Sequence, residues 1–142
     1  MSTLLTYLGI LPFLLFGFIA PLFSLKPPID TQMAFYGYSL SIIAFLAGSH
    51  WGRQKEDPTI AISSNIITLL AWASLLLSPI FINLCHGLLF ASLLMIEKKL
   101  LQSKKITPSY YQTRFFVSLI VIGLLIINGL FIIPSTTGFS YE

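Results

Sequence analysis

Residues 58–96 read PTIAISSNIITLLAWASLLLSPIFINLCHGLLFASLLMI, an unbroken run without Asp, Glu, Lys or Arg. A helix rises about 1.5 Å per residue and needs about 20 residues to cross a bilayer core. The run is too long for one crossing and fits two. Ser78-Pro79, near its centre, supplies the turn, because proline lacks an N–H and cannot comfortably continue a helix interior. The run is apolar throughout rather than alternating, which argues against β-barrel strands. In hydrocarbon a spanning chain must satisfy its own backbone polar groups, so helices follow.

Working outward, residues 1–25, 31–52 and 115–141 also lack charged side chains. Each fits one crossing. The expected fold is all-α and integral to a membrane: a single domain over 1–142, a bundle of about five transmembrane helices. The spans lie near Leu4–Phe23, Ala34–Gly52, Ile60–Leu77, Ile80–Ile96 and Phe115–Ile133. The first is read as retained rather than cleaved, since no Lys or Arg precedes Lys26 and Pro12 and Pro21 interrupt it. No internal repeat or low-complexity segment appears.

Composition agrees. Of 142 residues 56% are hydrophobic and 9% charged, too few polar residues to cover a water-soluble domain. The net charge of +3 comes from basic residues spread between apolar windows. That distribution sets membrane topology and does not indicate nucleic acid; the expected contacts are the lipid bilayer and another membrane protein. A lone Cys85 excludes an intramolecular disulfide and suggests no cysteine metal site.

Five spans put the N-terminus and the loops after the second and fourth spans on one side. Arg53, Lys55, Lys98, Lys99, Lys104, Lys105 and Arg114 fall there, and only Lys26 falls opposite. Short loops rich in Lys and Arg stay in the cytoplasm, so the N-terminus is expected inside and the C-terminus outside. In the second span Gly37, Ser41, Ala44, Gly48 and Gly52 make a stripe of small residues. Such stripes allow close helix packing, so this helix is expected to be central, its stripe packed on another helix of the same chain or of a second copy.

Polar residues at membrane depth need partners and are the default clue to function. No Asp, Glu, Lys or Arg falls in the middle of a span, which argues against a small proton-coupled antiporter. Two polar groups remain. Toward the cytoplasmic face stand His50, Trp51, Arg53, Asn65, Tyr110, Tyr111 and Arg114, candidates for binding a ligand or partner. His50 could titrate or ligate; the plainer reading is an interfacial histidine beside an aromatic-belt tryptophan. Toward the outer face stand Asn83, His86 and Asn128, a second polar cluster or simply interhelical hydrogen bonds. Glu97 is expected to pair with Lys98 or Arg114 at the exposed surface, where such pairs contribute little. No catalytic motif and no metal site emerges.

The run Tyr36-Gly37, Ser41 and Phe45-Leu46-Ala47-Gly48-Ser49-His50-Trp51-Gly52 resembles the signature of a family of small bacterial multi-pass membrane proteins of unknown function that includes transmembrane protein 69. Ala71-Trp72 and Pro108-Ser109-Tyr110-Tyr111 with Arg114 resemble further family elements. Ala47-Gly48 stands where the family often has Gly-Gly, and Glu97-Lys98 where it has Asp-Arg. The resemblance implies a multi-pass protein of the bacterial inner membrane and supplies no substrate. The expected role is a non-enzymatic accessory, assembly or scaffold protein. The alternative is a binding or transport module for a small amphipathic molecule such as a quinone, porphyrin or lipid. A third reading makes His50 the acid–base group of a membrane enzyme.

Overall fold

The computed structural model describes residues 4, 7–22, 31–53 and 58–136; within these, the side chains of residues 21, 31, 51–53 and 132–136 are outside the description. Five helices make up these residues. Helix α1 covers 11–22 and is built from Leu11–Leu14, a π-turn at Leu15–Ile19, and Ala20–Leu22. Helix α2 is Thr31–Arg53, α3 is Pro58–Ser74, α4 is Pro79–Gln102 and α5 is Pro108–Thr136. Helices α2 to α5 pack in sequence order, α1 lies against both α2 and α5, and α2 also packs on α4.

Local sequence explains the boundaries. Ser78 is extended and Pro79 opens α4, as the Ser-Pro turn predicts. Thr107 precedes Pro108, and its hydroxyl accepts the Tyr110 N–H at 3.2 Å, capping α5. Helix α4 ends in a Schellman turn: Lys105 N–H reaches Leu100 O at 2.9 Å, and Lys104 N–H reaches Leu101 O at 3.0 Å. Lys104 takes the left-handed position with φ 56°, where glycine is usual.

The π-turn in α1 has a sequence cause. Pro21 offers no N–H to the carbonyl of Gly17, four residues back. That carbonyl instead accepts the Asn128 Nδ2 from α5 at 3.3 Å. Gly17 also lets α1 approach α2, since a Cβ there would stand 2.5 Å from the Phe35 ring.

Polarity is distributed inside out. Leu69, Leu88 and Ile126 are about three-fifths exposed, while His86, Glu97 and Asn128 are fully buried. Helix α4 buries one stripe along its length: Ile82, Asn83, His86, Leu89, Phe90, Leu93, Ile96, Glu97 and Leu100. Pro79–Gln102 and Pro108–Phe131 are long and apolar enough to cross a membrane, and Pro58–Ser74 is a shorter apolar helix. Helix α2 is central, yet at Gly37 and Gly48 its small-residue stripe is not packed on another helix of the same chain. Gly37, Ser41 and Gly48 face outward, with open space around Gly37 and Gly48. The face that α2 buries carries Phe35, Tyr36, Ser39, Ile43, Leu46, Ala47 and His50.

Candidate functional site: a buried polar layer at one end of the bundle

Helix α4 does not stop where its apolar window stops. It continues beyond Ile96 to Gln102, and α5 starts seven residues before Phe115. Glu97 and Arg114 therefore lie on helices, turned inward. This corrects the expectation of a surface pair: Glu97 is fully buried and Arg114 is buried beside it. Arg114 Nε donates to Glu97 Oε1 at 3.1 Å. The same oxygen takes the His50 Nε2–H at 3.4 Å, since a carboxylate oxygen can only accept. Three helices, α2, α4 and α5, are joined through one oxygen atom.

The layer is incomplete. Glu97 Oε2, Arg114 Nη2 and His50 Nδ1 are buried without a hydrogen-bond partner. So are the hydroxyls of Ser64 on α3 and Ser118 on α5. Other helix hydroxyls bond back to a carbonyl three or four residues earlier, as at Ser41, Ser63, Thr68, Ser92 and Thr113. Ser118 follows Arg114 by one turn on the same buried face, and Ser64 lies six residues into α3, whose start adjoins the end of α2. Each unpartnered buried group carries a desolvation cost of about 1–3 kcal/mol, more if charged. Three such atoms, on His50, Glu97 and Arg114, belong to one hydrogen-bonded layer, and Asn83 Oδ1 toward the other end is likewise unpartnered.

Of the residues expected on this side, His50 and Arg114 converge, through Glu97. Asn65 does not join them; it is exposed on α3. Tyr110 and Tyr111 are half-buried at the start of α5 and pack against the core, with the Tyr111 ring tilted by 34° to that of Phe115 at 6.4 Å. The side chains of Trp51 and Arg53 lie outside the described ones. Glu97 itself was missed as a site residue. It carries a signal nonetheless: it falls four residues after Leu93 and eleven after His86, on the stripe α4 buries.

At the other end, the second cluster forms but is divided. Asn83 Nδ2 donates to Asn128 Oδ1 at 3.0 Å, and Gln32 Nε2 donates to the same oxygen at 2.7 Å. His86 turns elsewhere. Its Nε2–H donates to Ala71 O at 3.3 Å, which fixes Nδ1 as the acceptor of the Ser39 hydroxyl at 2.7 Å. Ala71 O has lost its helical donor, because Leu75 N–H turns back to Trp72 O as α3 ends, and it accepts the Ser74 hydroxyl at 2.7 Å as well as His86. Gln32 and Ser39 were not anticipated; short polar side chains in an apolar window give no sign of which way they point.

Between the two polar layers lie Ile43, Leu46, Phe90, Leu93, Val121 and Leu125, all buried. From His86 to Glu97 along α4 is eleven residues, about 16 Å. Among the described residues no group of three or more His, Cys, Asp or Glu could hold a metal ion.

A family model described as "Protein of unknown function (DUF3429)" matches residues 1–130. No curated protein and no solved structure matches the chain.

Proposed function

We propose, for a chain that belongs to the DUF3429 family, that it is a multi-pass membrane protein that binds a small amphipathic molecule. The membrane reading rests on the inside-out polarity and on the two long apolar helices. In water the outward Leu69, Leu88 and Ile126 would cost hydrophobic free energy; in lipid they are solvated. Read as five spans, the helices and the basic residues between them support a cytoplasmic N-terminus and an inner-membrane location, and on that reading the His50–Glu97–Arg114 layer lies near the cytoplasmic face.

The observation that carries the binding role is that His50, Glu97 and Arg114, from α2, α4 and α5, meet at one carboxylate oxygen while each keeps a second buried polar atom without a partner. An assembly made only for stability would satisfy or remove them. The test is to extract the protein in mild detergent and analyse its small-molecule content by mass spectrometry. A stoichiometric apolar molecule with a polar head is expected. Protein that repeatedly carries none contradicts the binding role.

The accessory or assembly role draws on different residues. Asn65 presents an amide on an otherwise apolar outward face of α3, and the small residues of α2 also face outward. Another membrane protein's helix would satisfy the amide. Crosslinking from position 65 in membranes distinguishes the two roles: a reproducible protein adduct favours assembly.

A further inference from the structure

We propose that the hairpin joining α4 to α5 binds the phosphates of anionic lipid head groups; this rests on the membrane reading above and not on the binding role. The starting point is where the charge of this end resides. His50, near the end of α2, meets Glu97, near the end of α4, so both helices finish at the same end of the bundle. The connection that leaves α2 there carries Arg53, Lys55, Glu56 and Asp57, whose charges cancel. Arg114 is cancelled by Glu97, and both are buried. From residue 58 to residue 141 Glu97 is the only carboxylate side chain. Lys98, Lys99, Lys104 and Lys105 are left as uncompensated charges on one short stretch, all exposed.

The fold keeps them together. Lys98 and Lys99 sit near the end of α4. The turn after it is closed by Ser103 N–H to Lys99 O at 3.0 Å and Lys105 N–H to Leu100 O at 2.9 Å, which brings Lys104 and Lys105 back beside the helix end. Their level is set by the Glu97–Arg114 bond, which ties α4 to α5. Just inside that level the outward side chains are apolar: Met95 on α4, Phe115 and Phe116 on α5. Leu84, Leu88, Met95 and Lys98 follow one exposed stripe of α4, which passes from leucine to lysine. A lysine at such a boundary lays its methylene stem on apolar surface and carries its ammonium to the head-group layer. Clustered ammoniums attract net negative charge. A zwitterionic head cancels its own phosphate with an attached ammonium; an anionic head does not. A soluble polyanion would meet the same charges but leave the adjoining apolar stripe uncovered, whereas a lipid covers it with its acyl chains.

The experiment reconstitutes the full-length protein in phosphatidylcholine bilayers with chain-spin-labelled phosphatidylglycerol or phosphatidylcholine, and reads the motionally restricted lipid by electron paramagnetic resonance. The unaltered protein is expected to prefer phosphatidylglycerol about threefold, and the preference is expected to fade as salt is raised. Exchanging all of Lys98, Lys99, Lys104 and Lys105 for Gln is expected to remove it, and exchanging them for Arg to keep it. Should the Gln variant not reconstitute, Lys98→Gln with Lys99→Gln, and Lys104→Gln with Lys105→Gln, are each expected to weaken the preference. Inorganic phosphate is expected to compete no better than chloride at equal ionic strength. Restricted lipid without head-group preference, a preference that survives the Gln exchanges, or displacement by phosphate beyond that of chloride overturns the inference and leaves the membrane reading standing. No restricted lipid of either kind overturns both.

Discussion

His50 Nε2 lies 3.4 Å from Glu97 Oε1, and these residues are 47 apart in sequence, the same separation that joins Ser39 to His86. Helices α2 and α4 therefore run parallel in one register, linked at two levels eleven residues apart. The roles are exchanged between the levels: the histidine belongs to α4 at one and to α2 at the other. Eleven residues return a helix nearly to the same face, so one seam carries both links.

The Glu97–Arg114 pair has a testable energetic signature. Glu97→Met leaves a buried guanidinium unpaired and is expected to cost about 3–5 kcal/mol. Adding Arg114→Met removes the orphaned charge and is expected to restore most of that loss. The double-mutant cycle is read by reversible denaturation in mixed micelles. Additive losses would mean that the two side chains do not interact.

Lys104 holds a left-handed backbone that a side chain disfavours by about 1–2 kcal/mol. Lys104→Gly relieves this while giving the unfolded chain more freedom, so a net gain of about 0.5–1 kcal/mol is expected. A rise in melting temperature in detergent checks it.

Gly17 is expected to resist enlargement. A Cβ there meets the Phe35 ring, which is fully buried and held edge-on to Phe13 at 5.8 Å. Gly17→Ala is expected to cost about 1–3 kcal/mol. Phe35→Leu in the same chain is expected to recover part of it, measured by the same denaturation.

Two asparagines are expected to behave oppositely. Asn128 bonds Gln32, Asn83 and the Gly17 carbonyl, so Asn128→Leu is expected to cost about 1–2 kcal/mol. Asn65 is exposed, so Asn65→Leu is expected to leave the isolated protein's stability within about 0.5 kcal/mol. Equal losses at both positions would contradict the assigned faces.

The number of helices was legible because charge-free windows and Ser78-Pro79 divide the chain. Which face of each helix points inward was not. A helix apolar all round has no polar side to mark its exterior, so the sequence does not tell whether the small-residue stripe of α2 packs within the chain; Gly37, Ser41 and Gly48 face outward. The site was half legible. His50 and Arg114 stand out as polar residues beside apolar windows. Glu97 was misplaced because Lys98 and Lys99 follow it and resemble a solvated loop, whereas the helix continues and turns the carboxylate inward while its neighbours stay exposed. Only the eleven-residue spacing from His86 betrays it.

The central claim is that the apolar exterior faces lipid and the polar layers face inward. With Cys85 replaced by Ser, single cysteines at Leu69, Leu88 and Ile126 are spin-labelled in liposomes, and their collision rates with oxygen and with a water-soluble nickel complex are measured. High oxygen and low nickel accessibility at all three positions is the predicted result. Nickel accessibility matching that of a label in free solution would contradict it.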